Sequence, residues 1–256
     1  MTQKRYEISD EQWNQINNLF PVAKTGRPPK DNRLMFNAIL WIARSGAAWR
    51  DLPERFGSWK TVYSRFCKWR DDGTLLAIFK ELSSDADYEN LSIDSTCIKA
   101  HQHSAGAKKG AINSETKQHI GLSHGGHTTK IHAVVDALGN PVHFQLSSGN
   151  LHDSTQAADV LSNLEIQGSN ILADKAYGTN EFREYIMSQG ASYTIPPKSN
   201  AKNPWPCDWW IYKERHLVEC FFNKVKHFRR IATRYDKLSS SFLAFVYIAA
   251  IFVLSK

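Results

Sequence analysis

The sequence lacks the marks of several large protein classes. Its four cysteines, Cys67, Cys97, Cys207 and Cys220, are scattered and form no C-x-x-C pair. That spacing argues against a zinc knuckle or redox dithiol and fits a reducing cytoplasm better than secretion. No apolar run is long enough to span a bilayer, and the longest, Phe242 to Leu254, reads as a core helix. The first seven residues carry no apolar core of a signal peptide, so a cytoplasmic, nucleoid-associated protein is expected, without a membrane partner. Internal repeats and low-complexity tracts are absent. Acidic residues are also in short supply. Against 32 Lys and Arg stand 25 Asp and Glu, for a formal net charge of +7 and a pI of about 9.2. This imbalance favours a polyanionic partner.

What is present is enough for a core: 42% of the 256 residues are hydrophobic and 12% aromatic. The first 85 residues read as helical. Ser9 caps a helix running to Phe20, with Asp10 and Glu11 in its first turn and Pro21 as its stop. A basic loop, Lys24 to Lys30, precedes a helix that starts at Asp31, carries Met35, Ile39, Ile42 and Ala43 at helical spacing, and closes at Gly46. Ser58 caps a third helix, to Asp71. A helix, a Gly- and Pro-containing connection and a short basic helix resemble a helix-turn-helix. Between Lys24 and Arg70 there are eleven Lys and Arg against three Asp and Glu. Lys60, Arg65 and Lys68, with Ser58, Thr61 and Ser64, are the expected DNA-facing residues, while Val62, Phe66 and Trp69 pack inward. Residues 1–85 are therefore expected to form an all-α DNA-binding domain.

From residue 86 to 256 the pattern changes to an α/β domain. Strands are expected over Leu91–Ile98, His127–Ala137 and Val142–Leu146, the last two as a hairpin. A helix (Asp153–Leu164), a strand ending before Asp174, a helix (Asn180–Gln189), a strand (Ser192–Ile195) and two terminal helices follow. A mixed sheet flanked by helices in this order is that of ribonuclease-H-like nuclease domains.

Three acids stand out. Asp94 lies inside the first strand, where Asp is a poor strand former and calls for a reason. Asp174 lies where the fourth strand ends, the place where ligand groups gather in α/β sheets, with a helix N-cap or turn Asp as the alternative in isolation. Glu219 lies on a helix following Trp210. On a continuous helix Tyr212, Arg215, Glu219 and Lys226 would fall within an arc of about 60°, opposite an apolar face of Leu217, Phe221, Val225 and Phe228. Carboxylates converging without His or Cys favour a hard cation, magnesium with manganese as substitute, over zinc. Two such ions can promote phosphodiester chemistry, with Arg215 and Lys226 holding the DNA backbone. Asp136 reads as a hairpin-turn residue. The histidines of the His101–Gly126 segment lack ligand spacing, and that segment reads as a mobile loop near DNA. Trp205, Trp209 and Trp210, just before the Glu219 helix, are candidates for stacking on an unpaired base, or else core or dimer-interface residues.

At this point the motif Tyr212-x-x-Arg215-x-x-x-Glu219-x-x-x-x-x-x-Lys226 resembles the signature of bacterial DDE-type insertion-sequence transposases. Gly126-His-Thr-Thr-Lys-Ile-His132, Asp174-Lys-Ala-Tyr177, Arg229-Arg-Ile-Ala-Thr-Arg-Tyr-Asp-Lys237 and Trp41-Ile-Ala-Arg-Ser-Gly-Ala-Ala-Trp-Arg-Asp-Leu-Pro53 extend the match over essentially the whole chain. The sequence is identified as a member of the insertion-sequence-five family, within the wider insertion-sequence-four-like group. The resemblance implies that Asp94, Asp174 and Glu219 are catalytic and hold two magnesium ions. It also implies that Tyr212, Arg215 and Lys226 are accessory residues at the DNA, to which Arg229 and Arg230 are added as expected contacts. Double-stranded DNA, both transposon ends and target, is the implied partner, met as a homodimer, with cleavage and strand transfer as the reaction. A nuclease that cuts without joining and a non-catalytic DNA-binding regulator are the alternatives.

Overall fold

The computed structural model describes residues 6–22, 30–104 and 118–255. It divides into two compact units. The first takes the described residues of 1–84, 101–108 and 224–256, the second those of 85–100 and 109–223. The chain thus leaves the first unit after Ser84, rejoins it at His101 and returns to it again from Lys224 onwards.

In chain order the first unit opens with helices α1 (Asp10–Ile16), α2 (Asn32–Ser45), α3 (Trp59–Asp71) and α4 (Thr74–Leu82). The second holds strands β1 (Asn90–Ala100), β2 (Gly121–Ser123), β3 (Gly126–Val135) and β4 (Pro141–Ser148), helix α5 (Asp153–Leu161), strand β5 (Asn170–Leu172), helix α6 (Asn180–Ser188), strand β6 (Ser192–Thr194) and the short helix α7 (Trp209–Tyr212). Helix α8 (His216–Lys226) follows, then α9 (Arg229–Ala232) and α10 (Ser239–Leu254) in the first unit.

Local chemistry accounts for the helix ends. The Ser9 hydroxyl accepts the Gln12 N–H at 3.2 Å and the Gln12 side chain accepts the Ser9 N–H at 3.0 Å, a capping box at the start of α1. The segment tightens into a 3-10 turn at Asn17–Leu19 and stops short of Pro21. The Asp31 carboxylate accepts the Arg33 N–H at 2.9 Å to start α2, and Gly46 ends it at φ 70°, a conformation only glycine adopts cheaply. The connection from Gly46 to Ser58 contains two 3-10 turns and is much longer than the three- or four-residue turn of a helix-turn-helix.

The C-terminal return follows from α10. Phe242, Ala244, Phe245, Val246, Ile248, Ala249, Ala250 and Ile251 are buried around most of its circumference, which places it inside a helical core with only a narrow, partly exposed stripe through Leu243 and Tyr247. Phe245 stacks on Phe66 of α3 with centroids 4.7 Å apart, and Phe20 packs on Trp69 at 4.8 Å. Among the described residues no helix is long and apolar enough to cross a membrane.

The second unit is a mixed sheet with flanking helices. β3 pairs antiparallel with β1 on one side and with β2 and β4 on the other; β1 pairs parallel with β5, and β5 with β6. Leu91, Ile93 and Val134 pack with Ala157, Val160 and Leu161 of α5 and Phe182 and Ile186 of α6. The other face carries Phe144, which stacks on Phe221 of α8 at 5.5 Å. With both faces covered, β1 buries Leu91, Ser92 and Ile93 in succession instead of alternating. The His101–Gly126 segment is not all loop. Gly121–Ser123 is an edge strand on β3, and the 3-10 turn Gln102–Ser104 follows β1, while 105–117 lie outside the described residues, as do 24–29 of the basic loop.

Candidate active site

Asp94 occupies the middle of β1, opposite Ala133 of β3. On its other side the parallel register pairs Ser92 with Leu172 of β5. Asp94 and Asp174 each lie two residues further along, Asp94 still within β1 and Asp174 past the last residue of β5. Neighbouring strands run about 4.8 Å apart. β5 has ended by then, because the Asp174 carboxylate accepts the Ala176 N–H at 2.7 Å and starts a 3-10 turn, Lys175–Tyr177. The turn role and a place beside Asp94 are therefore compatible: Oδ1 takes the backbone bond, and among the described residues Oδ2 takes none.

Glu219 reaches Asp94 through Arg215. One guanidinium nitrogen of Arg215 donates to Asp94 Oδ2 at 3.0 Å and the other to Glu219 Oε1. Asp94 Oδ1 is held separately by the Ser95 N–H at 2.7 Å. Burial pushes the Asp94 carboxyl above its ordinary range and the Asp174 charge adds to this, while the Ser95 N–H and Arg215 oppose it. Burial likewise works against the Arg215 charge, but Asp94 and Glu219 outweigh it and raise that pKa. Among the described residues no three His, Cys, Asp or Glu side chains are gathered closely enough to hold a metal ion. Asp94 and Glu219 are instead bridged by a guanidinium.

The helix expected to carry all four motif residues is interrupted. Tyr212 ends α7, Arg215 ends a 3-10 turn (Lys213–Arg215), and only Glu219 and Lys226 lie on α8. The turn is tied to the start of β1, where the Asn90 amide donates to Glu214 at 3.1 Å. Lys226 is exposed at the last residue of α8.

A second polar cluster was not singled out in the sequence. The Asp153 carboxylate, at the start of α5, accepts from Ser95 Oγ at 2.6 Å and from Lys130 Nζ at 3.0 Å. It thereby links β1 and β3 to α5 next to Asp94. The buried Tyr177 phenol is pushed up first by burial, then by the charges of Asp153, Asp94 and Asp174. The only sequence signal for this cluster was a pair of polar residues inside strands, Ser95 and Lys130.

The remaining expected contacts divide. Lys60 and Lys68 are exposed on α3 with Ser64 between them at the i, i+4, i+8 spacing of one face. Arg65 is half-buried, donates to Asn32 at 2.7 Å and lies over the Trp69 ring. Arg229 is exposed, but Arg230 is not a surface contact. Its guanidinium is buried, bidentate to Asp236 at 2.8 and 3.1 Å, and bound to the Ala47 carbonyl at 3.1 Å. Trp205 is likewise committed: its indole N–H donates to the Ile195 carbonyl at 2.7 Å and the Arg183 guanidinium covers one face at 3.6 Å. Trp209 and Trp210 are 61% and 77% exposed, with Lys213 Nζ 4.8 Å over the Trp210 ring. Asp136 is a turn residue, accepting the Leu138 and Asn140 N–H groups at 2.9 and 2.7 Å. Gly139 in that turn has φ 80°, and a Cβ added there would lie 3.4 Å from the Leu217 side chain of α8.

Comparisons with known proteins agree along the chain. Residues 8–79 match the family described as "Putative transposase of IS4/5 family", and residues 85–203 and 171–254 match two families described as "Transposase DDE domain". The chain is 42% identical over 123 residues to the "Putative transposase for insertion sequence element IS6501" of Brucella ovis, covering 48% of this chain and 94% of that protein. It is 41% identical over 120 residues to the "Uncharacterized protein y4sN" of Sinorhizobium fredii, covering 46% of this chain and 96% of the relative. Among solved structures, the piggyBac transposase in a synaptic complex with hairpin DNA is 10% identical, with a TM-score of 0.41, and the match covers 75% of this chain and 48% of that one.

Proposed function

The chain belongs to the insertion-sequence transposases of the IS4/5 group with a DDE domain, and from that premise we propose that it binds the terminal inverted repeats of its element, cleaves there and joins the ends to target DNA. Within the group we assign it to the insertion-sequence-five family. One observation carries the reading: Asp94 lies within β1, Asp174 lies just past the end of the parallel neighbouring strand β5, and Glu219 is tied to Asp94 through Arg215.

The strand order and directions support a ribonuclease-H-like catalytic domain. Asp94, Asp174 and Glu219 form a donor set that fits hard divalent cations, since all three offer carboxylate oxygen. Two magnesium ions, with manganese as substitute, would activate a water or 3′-hydroxyl and stabilise the leaving oxygen of the phosphodiester. The chain's own residues do the rest. Ser95 and Asp153 fix the β1 segment that carries Asp94. Arg215 offers a planar two-pronged donor for a phosphate, with Tyr212 and Lys226 as further contacts. The exposed face of Lys60, Ser64 and Lys68 in the helical first unit holds the duplex by its phosphates; Arg229 adds another basic contact. Trp209 and Trp210 offer stacking surfaces for an unpaired base at the cut end. Assembly on DNA is as a homodimer.

The test is a strand-transfer assay with duplexes ending in the element's terminal repeats, a supercoiled target and magnesium. Joined product is expected, and its loss on replacing Trp209 and Trp210 by Ala in a folded protein would support the stacking role. Cutting without joining would reduce the protein to a nuclease.

A further inference from the structure

We propose that Arg215 is a displaceable occupant of the carboxylate site, so that loading of a divalent cation and capture of a DNA phosphate are coupled through one guanidinium. The proposal rests on the reading of Asp94 and Glu219 as cation ligands. Arg215 holds Asp94 Oδ2 at 3.0 Å and also Glu219 Oε1, oxygens that a shared cation would need. Guanidinium and cation are therefore competitors. Asp94 does not depend on Arg215 for its position. Its Oδ1 is fixed by the Ser95 N–H, and the adjacent Ser95 hydroxyl is fixed by Asp153, itself held by Lys130.

Release of Arg215 has a cost, because its side chain is only 16% exposed and a half-buried guanidinium without an anion is unfavourable. A phosphate removes that cost, since its oxygens take the same bidentate pair of N–H donors that a carboxylate takes. Glu219, 53% exposed, is the open side of the bridge through which the exchange proceeds. A phosphodiester drawing Arg215 away frees the carboxylates for the cation. By thermodynamic reciprocity the cation in turn frees Arg215 for the phosphate. The enzyme is thus charged with metal most readily once DNA is in place.

Binding of Mn2+ to the full chain, read by electron paramagnetic resonance of free Mn2+ and so independent of turnover, tests this. Wild type, Arg215→Gln, Arg215→Lys and Asp94→Asn are compared with and without a short duplex, with thermal unfolding as the check on folding. Arg215→Gln is expected to bind Mn2+ more tightly than wild type without DNA, by a factor in the range of about 5 to 150 typical of coupled sites. The duplex should tighten Mn2+ binding to wild type and to Arg215→Lys, which keeps the charge, but not to Arg215→Gln. Equal or weaker binding by Arg215→Gln without DNA, or an undiminished effect of the duplex on that variant, overturns the proposal while leaving the ligand reading intact. Mn2+ binding unaffected by Asp94→Asn overturns the ligand reading itself, and the proposal with it.

Discussion

Two arginines, one in each compact unit, are held by carboxylates, and the two arrangements have opposite character. Arg230 and Asp236 are closed in: their side chains are 7% and 9% exposed, both Asp236 oxygens are used, the Ala47 carbonyl takes a third bond, and the Phe245 ring lies 4.8 Å from the guanidinium. Arg215 sits between Asp94 and Glu219 with exposures of 16%, 22% and 53%, one bond to each carboxylate, and a second acid, Asp174, beside the first. The first arrangement gives each guanidinium nitrogen and both carboxylate oxygens a partner and is a fastening of the helical core. The second leaves oxygens free and charge unbalanced, as a site that exchanges partners requires. An arginine beside an aspartate in a sequence motif does not distinguish these cases; the number of satisfied donors and the burial do.

Removing each arginine sharpens the contrast. Arg230→Ala strands a buried Asp236 and should cost about 3–5 kcal/mol of stability, measured by urea unfolding of the full chain. A loss under about 1 kcal/mol would break the assignment of Arg230 as a fastening. A closed group in the second unit provides the next largest effect. His132, fully buried with Nε2 paired to Ser147 Oγ at 2.7 Å, is pushed down to about 4 by burial, against the attraction of Asp153. The unfolded chain takes up this proton near pH ~6.5 and the folded chain only near 4. Stability is therefore lost as pH falls through that window, by at most about 3 kcal/mol. His132→Gln should flatten the slope, and an unchanged slope would show that other groups set it. Arg215→Ala should change stability by no more than about 1 kcal/mol, because Glu219 is screened by solvent and Asp94, already pushed up, can take a proton. A loss comparable to that of Arg230→Ala would make Arg215 structural. Least in stability, but visible in binding, Lys60→Ala and Lys68→Ala should each lower the salt dependence of duplex binding by roughly one unit of slope, with no change in unfolding. An unaltered slope would remove the α3 face from the DNA interface.

Much of this was legible residue by residue. Ser9, Asp31 and Gly46 mark helix ends through their own backbone chemistry, and Asp136 in Val135-Asp-Ala-Leu-Gly-Asn140 reads as a turn. Asp94 within a strand and Asp174 just past one follow from short-range patterning, and Glu219 does fall on a helix. What was hidden depends on contacts between distant residues. The break between Tyr212 and His216 is tied down by Asn90, and the burial of Arg230 and Trp205 depends on Ala47, Asp236, Arg183 and Ile195. The Asp153 cluster joins Ser95, Lys130 and Asp153 across three elements. The return of the C-terminal helix to the first unit had a local sign, an apolar run with no polar face, but its destination did not.

The central claim is that Asp94, Asp174 and Glu219 together carry phosphodiester chemistry. It is tested most directly by magnesium-dependent cleavage of a duplex bearing the element's terminal repeat, with duplex binding measured in parallel. Asp94→Asn is predicted to abolish cleavage while binding the duplex as wild type does. Cleavage undiminished in a folded Asp94→Asn protein would contradict the account.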